Sequence, residues 1–405
     1  MEKNKAKKPL PLFDNLAHSE EKIPALPSLF IDDFNCGKNF LKQYDGNEST
    51  FINYRREVER LLHWSWNIAN KSIIKLKRED IENYIKFCQS PPKSWIGIKT
   101  VPRFTNKNGG RIQNPEWRPF VATICKTDIK KGKKPSKDDY TLSQKSIKEI
   151  FVVLGSFYNY LINENLTDIN PVLQIRQKSK FLRKQQGAPK IPRLSETQWK
   201  CLIEITQKLA DENPDRHQRT LFIIIAMYLM YLRISEFVSS DRWTPMMKHF
   251  YKDSNDNWWF VTVGKGNKER HITVSESMIK ALVQWRKYLG MSSHPTPHEQ
   301  DPLIPKAKGK GAVTSVRMLR QLIQECFDAT SDELFKKGLI DEASTMSQAT
   351  VHWLRHTGIS DDINKRGRPI IHVRDDAGHA SIATTDKYND ITLRERHSSG
   401  KDKEI

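Results

Sequence analysis

Apolar residues recur at three- and four-residue steps along several stretches of this chain, the spacing that gathers one stripe on the buried side of an α-helix. Phe51, Tyr54, Val58, Leu61 and Leu62 follow a start at Ser49 and predict a first helix, with Arg55, Arg56 and Arg60 interleaved. Ile81, Tyr84, Ile85 and Phe87 predict a second, ending before Pro91 and Pro92 because proline cannot continue the helical hydrogen bonds. Ser143 opens the clearest helix of the first half, carried by Ile147, Ile150, Phe151, Leu154, Phe157, Tyr158 and Leu161. Ser195 and Gln198 have capping-box spacing ahead of Trp199, Leu202 and Ile203 and predict another start. The 12-residue apolar run Leu221–Leu232 is well short of the about 20 residues that span a bilayer and predicts a buried helix over 216–232. Two extended stretches, 257–263 and 270–274, flank a Gly-rich turn at 264–269 and predict a β-hairpin. Ser275 then caps a further helix, and helices are predicted again at 314–329 and 349–364. The fold expected is mainly α, with a small antiparallel sheet.

The segments between these elements divide the chain. Residues 1–28, with Lys3, Lys5, Lys7, Lys8 and four prolines, read as a flexible basic arm, and 29–175 as a helical domain with an irregular insertion at 91–140. The stretch from Arg176 through Arg193 carries seven basic residues and no acidic one, broken by Gly187, Pro189 and Pro192, as in an interdomain linker. A second domain follows at 194–396, with a loop-like stretch at 291–312 and a tail at 397–405. A length of 405 residues accommodates two such domains at roughly 100–200 residues each.

Lys plus Arg (67) exceed Asp plus Glu (48) by 19, the balance of a protein that handles nucleic acid or anionic lipid. With neither a spanning segment nor the apolar stretch of a secretory signal, nucleic acid leads and no membrane partner is expected. Five scattered cysteines without a Cys-x-x-Cys pair suggest neither a disulfide framework nor a thiolate zinc site. The expected setting is the cytoplasm, on DNA.

Candidate chemistry sits in four separated motifs. Arg233 lies in YLRISEF with Glu236 three residues on; Lys265 lies in GKGNKER; His352 and Arg355 share HWLRH; His379 precedes Tyr388 by nine residues in AGHASIATTDKY, with Ser381 as an N-cap between them. Each motif alone has a plain structural reading: a helix-end ion pair, a solvated turn lysine, a half-buried tyrosine. His352 and His356 have the spacing of a zinc helix, but Trp353 stands where His-Glu-x-x-His carries its glutamate and no third ligand is evident. No metal or cofactor is expected.

Taken together and in this order, the motifs resemble the tyrosine recombinase or phage integrase family over residues 194–396, and the helical first half resembles, more weakly, its core-binding domain. Two positions depart from the family pattern, Tyr231 where glycine is frequent and Ala377 where leucine is usual. The interval from Lys265 to His352 is long for the family, which points to an insertion at 291–312 that contacts DNA or a neighbouring subunit.

The resemblance implies a mostly α catalytic domain and a site-specific recombinase that integrates, excises or resolves a DNA element. Tyr388 would attack phosphorus, giving a 3′-phosphotyrosyl ester and a free 5′-hydroxyl without ATP or metal. Arg233 and Arg355 can each hold non-bridging oxygens through paired hydrogen bonds. His352 is the candidate base for the phenol, Lys265 the candidate acid for the departing oxygen, His379 a further donor and Glu236 a support for Arg233. The family pattern also implies self-association into a tetramer on two double-stranded sites, with a possible accessory DNA-bending or directionality factor. Phosphate contacts are expected from Arg55 and Arg56 and from Lys178, Lys180, Arg183 and Lys184 of the linker. Two readings compete: relaxation of supercoils by the type IB topoisomerase chemistry, and a noncatalytic architectural DNA-binding protein.

Overall fold

The computed structural model describes residues 8–15, 27–107, 110–130, 132–176, 181–182, 191–241, 243–264 and 268–389. The chain divides into two compact units, Met1–Gln186 and Gly187–Ile405.

The first unit runs through α1 (Ile31–Lys42), α2 (Glu48–Trp64), α3 (Arg78–Gln89), β1 (Ile96–Gly97), β2 (Phe104–Lys107), β3 (Gly110–Gln113), β4 (Phe120–Val121), α4 (Lys126–Lys130), α5 (Gln144–Asn163) and α6 (Pro171–Arg176). The predicted stripes of α2, α3 and α5 meet in one core around Phe51, Leu61, Ile81, Tyr84, Phe151 and Phe157. Ser143 caps α5 by accepting the Ser146 N–H, whereas α2 is capped by Asn47, which accepts the Thr50 N–H, two residues ahead of the predicted start at Ser49. Periodicity missed α1 because its stripe is broken by two residues that read as helix breakers. Gly37 is required there by a close approach, since a Cβ would lie 3.1–3.3 Å from Phe13, Leu62 and Val58. Asp33 is buried, and its carboxylate accepts from Trp66 Nε1, the Ser72 hydroxyl and the Ile73 N–H.

Two expectations change here. The arm read as flexible is packed over residues 8–15: Leu12 and Phe13 are buried, Phe13 stacks on Phe34 at 5.1 Å, and the Leu12 N–H is held by the Glu59 carboxylate. Arg55, Arg103 and Gln113 also donate to the Asp14, Phe13 and Pro11 carbonyls, and Arg111 pairs with the Asp14 carboxylate, which together hold a segment that has no period of its own. Residues 1–7 and 16–26 lie outside the described residues. The insertion at 91–140 carries order too, an antiparallel β2–β3 pair and a short parallel β1–β4 pair fixed by the fully buried Phe120.

The second unit runs through α7 (Glu196–Glu212), α8 (Pro214–Leu229), β5 (Phe250–Lys252), β6 (Trp258–Val263), β7 (Glu269–Thr273), α9 (Glu276–Tyr288), α10 (Val316–Lys336), α11 (Ile340–Ser347), α12 (Val351–Asn364), α13 (Ile370–Ala377) and α14 (Ile382–Asp386). Ser195 and Gln198 form the reciprocal capping box at α7, and Ser275 caps α9. The predicted hairpin is β6–β7, with Phe260 opposite Ile272 on the core face, and β5 extends it to a three-stranded sheet in the order β5-β6-β7. Residues 291–312 are irregular but pinned, with Leu303 and Ile304 fully buried and the Leu303 carbonyl accepting from Trp285 Nε1 at 2.9 Å. Helix α12 lies directly on the C-terminal end of α8, where Gly358 leaves no room for a side chain: a Cβ would fall 1.9 Å from the Tyr228 carbonyl oxygen. That contact sets the helix carrying HWLRH against the segment carrying Arg233.

Candidate active site

The site is built where α8 ends. The apolar run predicts helix to residue 232, but α8 stops at Leu229 and Tyr231 takes a left-handed backbone with φ of +52°. A side chain there costs about 1–2 kcal/mol. In this chain the tyrosine is offset by burial and bonding: its hydroxyl donates to Asp362 and accepts from Arg368 at 3.1 Å, and it packs in a small cluster with Ile359, Val373, Ala377 and Tyr388. The left-handed turn also frees the Tyr231 carbonyl, which accepts from Arg355 Nη1.

Past the turn, Arg233 is extended and Glu236 sits in a 3-10 turn over Ile234–Phe237, a different local geometry from the helix first expected. The buried Glu236 carboxylate serves two guanidiniums. It lies 3.0 Å from Arg233 Nη1 and accepts bidentately from Arg270 at 2.9 and 2.7 Å, while its other contact is the Arg233 N–H at 2.9 Å. Although burial opposes ionisation, Arg270 and Arg233 hold the Glu236 carboxyl below its ordinary range. Arg270 stands on β7 and also donates from Nε to the Asp376 carbonyl at 3.1 Å, tying the sheet to α13. Sequence reading missed Arg270. The available signal was its place in GKGNKER, five residues after Lys265 on a strand whose alternate residues face inward. Lys265 itself lies outside the described residues; the preceding Gly264 is described, and a Cβ on it would lie 2.8 Å from Arg270 Nη1 and 3.6 Å from Arg233 Nη1.

Arg355 projects from α12 and is 4% exposed. Its Nη2 donates to the Ala377 carbonyl at 2.6 Å and contacts His379 Nε2 at 3.0 Å. Because the Ala377 contact is made by backbone, the departure from leucine there removes no polar group. Burial, then Arg233 and Arg270, pull Arg355 below the ordinary guanidinium range, to about 9. Three cations thus gather in one site, two of them paired with the Glu236 carboxylate. Gly378, with φ of +62°, makes the turn from α13 into the His379 segment, and a Cβ there would meet Arg270 at 2.9 Å.

Tyr388 follows α14 and is 7% exposed, with its ring parallel to His379 at 6.0 Å and edge-on to His356 at 5.6 Å. Burial raises the Tyr388 phenol above its ordinary value, while Arg355 and Arg233 pull it down. His352 is exposed and stacks on His356 at 6.3 Å; burial of the ring, then Arg320, Arg355 and Arg233, lower its pKa from 6.5. His379 is lowered further, to about 4, by burial and then by the same guanidiniums with Arg270. Both imidazoles are therefore neutral at neutral pH. Of the residues singled out in the sequence, the structure brings Arg233, Glu236, Arg355, His379 and Tyr388 together, with His352 on the same helix face one turn before His356. Among the described residues no group of three or more His, Cys, Asp or Glu side chains is placed to hold a metal ion.

The expected DNA contacts fare differently. Arg55 is 8% exposed; it falls four residues after Phe51 on the buried stripe of α2, donates to the Asp14 carbonyl and lies 5.2 Å from the Phe51 ring centroid. Its guanidinium is thus committed inside the unit rather than offered to a phosphate. Arg56 is more exposed and pairs with Glu57 at 2.6 Å and Glu149 at 3.5 Å. Lys178, Lys180, Arg183 and Lys184 lie outside the described residues.

A buried phenol beside convergent guanidiniums and neutral imidazoles defines a class of enzyme that transfers a phosphoryl ester through tyrosine. Comparison with known proteins places it within that class. Residues 192–395, half of the chain, match the phage integrase family. The tyrosine recombinase XerD of Rickettsia bellii is 28% identical over 257 residues, covering 62% of this chain and 74% of that protein. The tyrosine recombinase XerC of Treponema denticola is 25% identical over 264 residues, covering 64% and 76%. The fold is similar to that of the XerH site-specific recombinase in a post-cleavage complex with its palindromic difH substrate, with a TM-score of 0.56, 14% identity, and coverage of 92% of this chain and 87% of that one. The chain belongs to the phage integrase family, the tyrosine recombinases. No helix among the described residues is long and apolar enough to cross a membrane.

Proposed function

We propose that this chain cuts and rejoins double-stranded DNA at specific sites through a covalent bond between Tyr388 and a 3′-phosphate. The observation that carries this reading is the charge balance at Tyr388: Arg233 and Arg270 share the carboxylate of Glu236, while Arg355 is held by the Tyr231 and Ala377 carbonyls and has no carboxylate in contact among the described residues, which leaves a positive field beside a buried phenol. A phosphodiester supplies the missing negative charge. Its non-bridging oxygens accept from Arg233 and Arg355, whose fixed forks also stabilise the charge that builds as the tyrosine oxygen attacks phosphorus.

The proton leaves the phenol for His352, neutral and on the same helix as Arg355. As the P–O5′ bond breaks, the departing oxygen takes a proton from Lys265. The 5′-hydroxyl of a second strand then attacks the phosphotyrosyl ester by the reverse steps. Since one ester replaces another, rejoining draws on no nucleotide hydrolysis. Four protomers on two sites would permit the exchange of partners, and an accessory DNA-bending factor would set its direction.

In the N-terminal unit, a cleft of about 700 Å³ is lined by Arg55, Arg56, Arg60, Arg103, Arg111 and Arg118 together with Asp14, Glu57 and Glu149; we assign it to backbone phosphates, with the half-exposed Arg56 and Arg118 as the contacts rather than the buried Arg55. The functional test is covalent trapping. Wild type and Tyr388→Phe are incubated without metal or ATP with nicked duplexes tiled across DNA flanking the gene, then resolved on a denaturing gel. An adduct formed by wild type and absent from Tyr388→Phe is expected; an adduct persisting in the variant overturns the assignment of the nucleophile. Joined product from two differently labelled duplexes separates recombination from simple relaxation.

A further inference from the structure

His379 is held by both ring nitrogens, and the two contacts together dictate where its proton sits. At Nε2 the neighbour is Arg355 Nη2, 3.0 Å away. A guanidinium has hydrogen-bond donors only, so Nε2 must accept. A neutral imidazole has one N–H, which then resides on Nδ1 and donates to the Thr385 hydroxyl at 2.8 Å. The ring is neutral near pH 7 because burial and the surrounding guanidiniums lower it to about 4. Without DNA, the face of His379 that the proposed reaction needs as a donor is therefore an acceptor.

We propose that Thr385 is a positioning residue that lets His379 exchange tautomers, its hydroxyl accepting from Nδ1–H in the DNA-free protein and donating to Nδ1 once a phosphate is bound. This rests on the reading of His379 as a donor to the phosphoryl group. A phosphoryl oxygen has lone pairs only, so an oxygen entering beside Arg355 requires a proton on Nε2. The neutral ring gives up the Nδ1 proton to solvent and takes one at Nε2, with no net change in charge. The Thr385 hydroxyl rotates and donates to the freed Nδ1.

A hydroxyl is suited to this because it serves in either sense. A carboxylate in its place would only accept, and would fix the Nδ1–H form. Thr385 is fully buried, so its hydroxyl is the fixed partner of Nδ1, while the half-buried His379 ring keeps access to solvent for the proton exchange. Its backbone carbonyl also accepts the Tyr388 N–H at 3.0 Å, so the residue that orients the imidazole also anchors the start of the segment bearing the nucleophile.

The test compares full-length wild type, Thr385→Ser, Thr385→Val and His379→Gln. Proton positions are read first, in DNA-free protein carrying ¹⁵N-labelled histidine, by long-range ¹H–¹⁵N correlation with the His379 signals assigned by their loss in His379→Gln. The expected pattern is a protonated Nδ1 and a bare Nε2; a protonated Nε2 in wild type overturns the proposal. Adduct formation is then timed on the nicked duplex identified by trapping. Thr385→Ser, which keeps the hydroxyl, should remain within about threefold of wild type, and Thr385→Val should be about tenfold slower or more at pH 7.5. The gap should narrow only as pH falls toward about 4, where a protonated ring carries N–H on both nitrogens and needs no exchange. A loss shared equally by serine and valine, or unchanged across pH, would show that Thr385 merely fills space and would sink the idea. Wild-type rates in His379→Gln would instead remove the underlying reading that His379 contacts the phosphate, and the proposal with it.

Discussion

At Arg355 charge and geometry can be separated. Its guanidinium spans the Tyr231 and Ala377 carbonyls and reaches His379, so it is held in one orientation before any DNA arrives. An ammonium keeps the charge but cannot span those acceptors or grip a phosphoryl oxygen bidentately. Arg355→Lys is therefore expected to slow adduct formation by about 10²–10³-fold, the range for loss of a donor that stabilises developing oxyanion charge. Near-normal single-turnover rates in a folded Arg355→Lys protein would count against the bidentate role. His352 yields a pH expectation. Its folded pKa lies below 6.5 because burial, Arg320, Arg355 and Arg233 all disfavour the cation. The base is thus competent at neutral pH and is lost as pH falls through that lowered value. The second-order rate of adduct formation, which reports the free protein, should show an acid limb with its midpoint below 6.5, and His352→Asn should abolish that limb along with most of the rate. An unchanged limb in the variant would place the base elsewhere. The chemistry of these residues was readable in their motifs. Arg270 was not, because a strand arginine in a basic turn looks solvated until the fold brings Glu236 and Asp376 to it.

Among the elements, α12 shows how packing becomes chemistry. It carries His352, Arg355 and His356, and its orientation is set by the contact of Gly358 with the Tyr228 carbonyl. Gly358→Ala must separate α12 from α8. It should lower stability by about 3 kcal/mol, seen in denaturant unfolding, and should reduce adduct formation more than that loss explains, because Arg355 would be drawn off the Tyr231 carbonyl. A variant of wild-type stability and rate would show that the two helices adjust independently. Helices with an unbroken stripe, such as α2 and α5, were legible within a residue or two. Those with interrupted or short patterns were not: α1 hides Asp33 and Gly37 in its buried face, and α13 and α14, of eight and five residues, are too short to establish a period. The end of α8 was misjudged because apolar residues continue for three positions past it, and only the Tyr231 backbone, stabilised by Asp362 and Arg368, decides that the helix stops.

For the molecule as a whole, the excess of 19 basic over acidic residues should express itself as salt-sensitive DNA binding. The affinity for a duplex carrying the cleavage site is expected to fall by about 10³-fold or more between 50 and 200 mM salt, as for proteins that neutralise six or more phosphates. A nearly flat response, measured by fluorescence anisotropy, would argue that the basic surface does not track the backbone. Replacing the half-exposed Arg118 or Arg56 with glutamine should reduce the slope of that dependence, whereas replacing Arg55 should act through stability, since it is buried against Phe51 and the Asp14 carbonyl. By itself the sequence determined the family motifs and their order along the chain, the helical class of both halves and the excess of positive charge, because periodicity, charge and motif spacing are local properties. Tertiary structure alone decided that Arg55 turns inward, that residues 8–15 belong to the first core, that Arg270 joins the site and that Thr385 meets His379. Each of those outcomes depends on which distant groups fill the space around a residue, and one carboxylate or carbonyl delivered by another element changes whether a charge is solvated, buried or shared.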